Sequence, residues 1–247
     1  MTDPTQQELL IAAIARLLQG SRHIAVGASS PIPAAAAFLL RATAATSITV
    51  NVLGSLANNS FTNGSVELFD CAGQGRLDAF FLGGGQIDGS ANINLVGTGG
   101  DYPRNDVRWP GSFGSAYLYY VVPKVILFRE EHSPRVLVDR VDFVSAPGTS
   151  PPRVHRPGGP RHLVTGMALF DFDPARVRFS LVSTHPGFTL DDVRKNTGFI
   201  FDAAKTVPTT PPPDAPTLAL IRGRIRDEIA ETYPRFAERA FVTPSAC

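Results

Sequence analysis

Cysteine is almost missing from this 247-residue chain. Cys71 stands mid-sequence and Cys247 at the end, a spacing that fits neither a disulfide framework nor a zinc site, so both are expected as free thiols. An excess of charge of one sign is missing too. With a formal net charge of +1, no whole-chain field draws in nucleic acid or an acidic membrane surface. No apolar run reaches the roughly 18 residues that a membrane helix needs, and the opening MTDPTQQELL has neither a basic nor an apolar segment. Neither a membrane span nor a signal peptide is expected, and the protein is expected to be cytoplasmic. Without a secretory signal, the Asn-x-Ser sequons at Asn58 and Asn63 read as chance matches. A His-Glu-x-x-His zinc helix, a Walker loop, a GxGxxG fingerprint and a Gly-x-Ser-x-Gly elbow are all absent, which removes support for the standard zinc and serine-hydrolase mechanisms and leaves no metal ligands to name.

What is present is a 43% hydrophobic chain, long enough to bury a substantial core, read as a single α/β domain over residues 1–247. Leu9, Leu10, Ala13, Ile14, Leu17 and Leu18 recur at helical spacing and predict an amphipathic helix over 5–18. A short apolar strand, HIAVG at 23–27, leads to an Ala/Leu-rich helix over 31–42 whose prolines fall only in the first turn, where a missing N–H is harmless. The β-branched run SITVNVL at 47–53 predicts a strand that empties into a polar loop over 54–64. One or two helical turns over 66–73 and a buried strand over 77–82 continue the alternation. A helix over 112–122 and a strand over 124–128 follow. The runs 163–172 and 177–183 read as two strands of a hairpin around Asp173-Pro174-Ala175-Arg176. Thr189 caps a short helix over 190–196, and after a proline-rich spacer at 208–216 one long helix is predicted over 217–241.

Two glycine clusters could carry chemistry. Gly83, Gly84 and Gly85 follow the predicted strand at 77–82, and consecutive glycines there permit close backbone approach to a ligand, although any tight turn uses glycine the same way. Gln86, Asp88, Asn92 and Asn94 follow them, able either to orient a polar ligand or to form turns. The second cluster, Gly111-Ser112-Phe113-Gly114, precedes a predicted helix, so its N–H groups could meet a phosphate or oxyanion, with ordinary capping by Ser112 as the alternative. His185 ends a strand as an acid, a base or a structural turn histidine. Glu130, Glu131 and His132 read as a solvated strand exit. The basic segment RVHRPGGPRH at 153–162 reads as a surface loop or a contact for phosphate groups.

In order along the chain, FLGGGQIDGSANIN at 81–94, VRWPGSFG at 107–114, VDFVSAPG at 141–148 and STHPGFTLDDVRKNTGF at 183–199 resemble the beta subunits of glutaconate-type coenzyme A transferases, within the family I coenzyme A transferases. The resemblance runs from Ile11 to Ile221. It implies the α/β coenzyme A transferase-like fold, a largely parallel central sheet flanked by helices with a local antiparallel portion, and pairing with an alpha-type subunit as a heterodimer or heterotetramer. It also implies a coenzyme A thioester as substrate and no permanently bound cofactor. In that family a glutamate at a strand end attacks the acyl-CoA carbonyl, forms an acyl anhydride, and then holds coenzyme A as a glutamyl thioester. Here the corresponding strand reads Thr49-Val50-Asn51-Val52-Leu53-Gly54, with Asn51 or Val52 in the glutamate's place; Glu67, the nearest glutamate, lacks the motif. Asn51 and Ser55 therefore mark a vacant nucleophile position. Gly83, Gly84, Gly85, Gln86, Asp88, Asn92, Asn94, Gly111, Ser112 and Gly114 are the expected lining of the coenzyme A and substrate pocket. Three roles fit: a transferase whose partner carries the carboxylate, a subunit similar to the transferase-like hydrolases that open rings of CoA thioesters in bacterial sterol catabolism, with the catalytic glutamate in the alpha subunit, or a catalytically silent scaffold.

Overall fold

The computed structural model describes residues 3–62, 65–100 and 102–241. Cys247 and the Asn63 sequon lie outside them. In chain order the elements begin α1 (Gln6–Leu17), β1 (His23–Val26), α2 (Pro31–Thr43), β2 (Thr49–Val52), α3 (Ser65–Gly73) and β3 (Ala79–Leu82). Two short hairpins follow, β4 (Gln86–Ile87) with β5 (Ile93–Asn94) and β6 (Gly97–Thr98) with β7 (Val107–Arg108). Next come α4 (Ser115–Val121), β8 (Lys124–Arg129), β9 (Pro160–Thr165), β10 (Ala168–Asp173), β11 (Arg178–Thr184), α5 (Leu190–Asn196) and β12 (Asp202–Ala203). The last elements are α6 (Ala215–Leu220), a π-helical turn at Ile221–Ile225, α7 (Arg226–Ala230) and α8 (Pro234–Ala240).

The chain divides into two compact units, the first comprising Met1–Cys71, Arg76–Ala79 and Pro211–Cys247. In it, α1 opens on a capping box: Thr5 Oγ1 accepts from Glu8 N at 3.2 Å and Glu8 Oε2 accepts from Thr5 N at 2.8 Å. Glu8 is fully buried, and the Arg222 guanidinium closes on it through Nε at 2.6 Å and Nη2 at 2.8 Å. That fork supplies the charge partner without which a buried carboxylate is costly. Strands β1 and β2 pair in parallel around α2, whose Pro31 sits in the first turn, and Ile24 of β1 pairs with Ala79.

The long C-terminal helix expected over 217–241 is instead broken. It starts two residues earlier behind an Asp214 cap, runs through the π turn to Ala230, and restarts at Pro234. Proline has no N–H to give to the carbonyl of Ala230 and its ring would clash there, so the helix must end before it.

The second unit comprises Ala72–Gly75 and Phe80–Thr210. Its strand order is β12-β11-β10-β9-β8-β3, with β8 parallel to β9, β10 antiparallel to both β9 and β11, and β12 parallel to β11. The protein is thus α/β with mostly parallel strand pairing and a late antiparallel portion, as expected. The run at 163–172, read as one strand, is two: the Thr165 hydroxyl accepts from Met167 N and Ala168 N and turns the chain between β9 and β10. The Asp173 turn forms as predicted, Oδ1 accepting from Ala175 N and Arg176 N. Helix α4 starts at Ser115 rather than Ser112, because Phe113 takes a left-handed φ of 45° and Gly114 becomes the cap. An aromatic cluster of Phe170, Phe172, Phe179, Phe199 and Phe201 fills the core beside the meander.

Candidate active site

The expected nucleophile position lies in the first unit, at the end of β2. Asn51 and Val52 are both fully buried. Asn51 Oδ1 accepts from Ser60 N at 2.6 Å and Ser60 Oγ at 2.8 Å, which fixes the orientation of the amide. Its Nδ2 therefore donates to His23 Nε2 at 2.8 Å, and His23 Nδ1 donates to the Arg76 carbonyl at 2.8 Å. Cys71 Sγ lies 3.7 Å from that same Nδ1, but the ring proton is already committed to Arg76. Burial raises the Cys71 thiol pKa, against a partial offset from Arg76. With no base to take its proton, Cys71 is a buried free thiol and not an activated nucleophile. Glu67 turns to Thr62, accepting from its hydroxyl at 2.6 Å and from its backbone N–H.

Beyond β2 the chain makes a closed turn. Gly54 takes φ +94°, Val52 N donates to Asn58 O at 2.7 Å, and Ser55 Oγ accepts from Asn58 N at 2.8 Å. Glu231, on the break between α7 and α8, grips this turn. Its carboxylate accepts from Ser55 Oγ at 2.6 Å, Leu56 N at 2.8 Å, Ala57 N at 3.4 Å and Thr232 Oγ1 at 2.5 Å. The Ser55 hydroxyl above all, then Thr232 and the two amides, brings its pKa down to about 2. So stabilised an anion is a weak base. Nothing in the Asn/Ser-rich loop points to Glu231, which helical periodicity alone places inside a continuous helix; the Tyr233-Pro234 pair, which must end a helix, is the signal that could have found it.

The first glycine cluster lies in the second unit, where its polar companions are bonded to their own surroundings. Gln86 Oε1 accepts from Asn94 Nδ2 at 2.8 Å and Asp142 N at 2.9 Å, and Asn94 Oδ1 accepts from Val96 N and Gly97 N. Asp88 accepts from Ser90 N and Asn92 N, each at 3.0 Å, and from the Asn92 amide, whose Oδ1 in turn accepts from Gly148 N at 3.1 Å. Gln86, Asp88 and Asn94 are buried, Asn92 half-buried. These bonds tie the β4–β5 hairpin to residues 141–148. A Cβ on Gly84 would stand 2.6 Å from Ile93 Cγ2, and one on Gly85 would enter the Trp109 indole, so close packing requires both glycines. Gly83 lies beside the Phe128 carbonyl. The second cluster is more open: Gly111, at φ +106°, has empty space where a Cβ would stand, and Phe113 is 77% exposed. Ser112 is not the helix cap; its carbonyl accepts from Ser115 N at 2.8 Å.

The basic segment at 153–162 is a surface loop, as expected: Arg153, His155 and Arg161 are exposed, and Arg156 and His162 are half-buried. Arg156 donates to the carbonyls of Gly158, Pro147 and Tyr119, each at 2.9 Å, and stacks over the Tyr119 ring. Arg161 donates to Pro123 O, and His162 Nδ1 lies 2.6 Å from Asp171 Oδ1. His132 departs from the solvated exit expected of it. It is buried between Thr165 Oγ1 at 2.7 Å and Thr197 Oγ1 at 2.9 Å, and burial lowers its pKa to about 4. His185 is 1% exposed, with Nε2 on the Thr165 carbonyl and Nδ1 on Thr210 Oγ1, the environment of a structural histidine. Among the described residues no group of three or more His, Cys, Asp or Glu is placed to hold a metal ion, and no helix is long and apolar enough to cross a membrane.

Residues 8–196 match the family model described as Coenzyme A transferase. The B subunit of the 3-oxoadipate CoA-transferase of Pseudomonas knackmussii is 32% identical over 154 residues, covering 60% of this chain and 58% of that one. The B subunit of the glutaconate CoA-transferase of Acidaminococcus fermentans is 34% identical over 161 residues, covering 62% of this chain and 57% of that one. Both matches thus span less than two thirds of the relative. The cholesterol ring-cleaving hydrolase IpdB subunit of Rhodococcus jostii is 26% identical over 249 residues, covering 90% of this chain and 92% of that one. The fold of Rhodococcus jostii IpdAB superposes with a TM-score of 0.81 at 24% identity, over 98% of this chain and 100% of that one.

Proposed function

This chain belongs to the coenzyme A transferase family and is of its beta-subunit type, and from that premise we propose that it works with an alpha-type subunit, as a heterodimer or heterotetramer, on a coenzyme A thioester without itself supplying the attacking carboxylate. One observation carries this: at the end of β2 the two residues that could stand in the glutamate's place are a buried valine and a buried asparagine whose amide is bonded to Ser60 and His23. An amide so held is no nucleophile, and a valine offers none. In the first unit, Asn51 and Ser55 mark the vacant nucleophile position. Gly83, Gly84, Gly85, Gln86, Asp88, Asn92 and Asn94 form the glycine-rich frame of the pocket, and Gly111, Ser112 and Gly114 contribute backbone donors toward the coenzyme A moiety. A thioester substrate of this kind suits a cytoplasmic enzyme.

Within this reading, hydrolysis is favoured over transfer. The hydrolase subunit is similar over nearly the whole of both chains, whereas the transferase subunits are similar over little more than half of their own length. A hydrolase also has no need of the glutamate that β2 lacks. The test is to purify the chain from native cells with whatever accompanies it and supply a panel of acyl-CoA thioesters in ¹⁸O-labelled water. Label in a ring-opened or free-acid product, with no acceptor acid required, supports hydrolysis; turnover that needs an acceptor acid supports transfer with the partner's carboxylate. A free monomer with no alpha-type partner and no acyl-CoA binding would overturn both enzyme readings.

A further inference from the structure

Leu56 is 95% exposed, yet the backbone beneath it is tied down. The turn is closed on itself by the Val52–Asn58 bond, braced by Ser55 Oγ on Asn58 N, and held from outside by Glu231, which takes the N–H groups of Leu56 and Ala57 and the Ser55 hydroxyl. Asn58 is fixed in turn by Arg41 Nη2 at 3.0 Å, and that guanidinium also pairs with Glu228 on α7 at 3.0 Å. A mobile loop could carry an exposed leucine at little consequence. Here a set of charged and polar side chains holds one apolar side chain out into solvent, four residues past Val52. Because Glu231 occupies the Leu56 and Ala57 amides, these two donors are not offered to an oxyanion. What the turn offers to a substrate is the isobutyl group itself.

We infer that Leu56 is a specificity-determining contact for the acyl part of the thioester, favouring extended apolar acyl groups over small ones, and that Glu231 is the positioning residue that holds it there. This rests on the functional reading above, in which the vacant nucleophile position, and with it the acyl carbonyl, belongs at the end of β2.

The experiment uses the co-purified complex and three probes, coenzyme A, acetyl-CoA and octanoyl-CoA, with affinities measured by titration calorimetry. Wild type is expected to prefer octanoyl-CoA to acetyl-CoA. Leu56→Ala is expected to lower that preference about tenfold, the scale of losing methylenes from an apolar contact, with affinity for coenzyme A itself unchanged. Leu56→Met should retain the preference, and Glu231→Gln should lose it with affinity for coenzyme A unchanged, whereas a purely structural role for Glu231 would lower affinity for all three probes together. An unchanged octanoyl-to-acetyl ratio in Leu56→Ala, with coenzyme A still bound, would overturn the inference alone. Loss of the partner from Leu56→Ala on size-exclusion chromatography would assign the side chain to the subunit interface and overturn it as well. If the wild-type complex fails to bind coenzyme A, the functional reading falls and the inference with it.

Discussion

Acid should destabilise this protein in a window set by His132. Thr197 Oγ1 donates to the Val193 carbonyl at 2.8 Å and so accepts from His132 Nε2–H, while the Thr165 hydroxyl lies 2.7 Å from Nδ1. Burial disfavours the charged form of the ring. The Phe170 ring stacks beside it, 6.2 Å between centroids, and the buried His185 adds a repulsive contribution to any charge placed there. Burial, the largest cause, lowers the folded-state pKa from 6.5 to about 4. The unfolded chain consequently binds more protons than the folded one between those values, and stability rises with pH there. Read downward, the contribution is complete above 6.5 and declines until about 4. At about 1.36 kcal/mol per unit, His132 accounts for a loss of about 3 kcal/mol across the window. Urea unfolding of wild type and His132→Gln at half-unit steps from pH 7.5 to 4 measures it: the variant should be the less stable at pH 7.5 and should show a slope shallower by about one proton per molecule. Equal slopes in the two proteins would refute the assignment of a buried, neutral His132.

Replacing Arg222 by methionine leaves the buried Glu8 carboxylate without its partner and should cost about 3–5 kcal/mol, and adding Glu8→Gln should recover much of that in a double-mutant cycle read by chemical denaturation. Gly148→Ala drives a Cβ into the Ser90 carbonyl, a backbone atom that cannot swing away, and should destabilise by about 1–3 kcal/mol; an unchanged melting temperature would mean that the segment is looser than its packing. Asn51→Ala strands the Ser60 N–H and the His23 ring nitrogen and should cost about 1–3 kcal/mol, with Ser60 amide exchange accelerated in hydrogen–deuterium measurements.

Most of the fold was legible because its signals were local. The capping box at Thr189 and Asp192, the prolines in the first turn of α2 and the β-branched run into β2 each involve neighbours within a few positions. The failures share a different cause. Residues 163–172 are apolar on both sides of the Thr165 turn because β9 and β10 are both buried, so periodicity could not divide them. The polar run Glu130-Glu131-His132 looked solvated because the groups that satisfy His132, Thr165 and Thr197, lie 33 and 65 residues away. Glu231 escaped notice for the same reason, since Ser55 is 176 residues from it. The Gln86, Asp88, Asn92 and Asn94 pattern was visible in sequence, but only the three-dimensional structure shows its hydrogen bonds directed into residues 141–148 and the hairpin itself.

Whether this chain lends a carboxylate to the reaction is decided most directly by trapping. The co-purified complex is incubated with an acyl-CoA that it turns over, treated with borohydride or hydroxylamine, and both chains are mapped by peptide mass spectrometry. The expected result is that every glutamate of this chain, Glu67 and Glu231 included, is unmodified, whether or not a co-purifying partner carries an adduct. A glutamyl adduct at any position of this chain would contradict the assignment of an inert β2 position and return the protein to the group that supplies its own nucleophile.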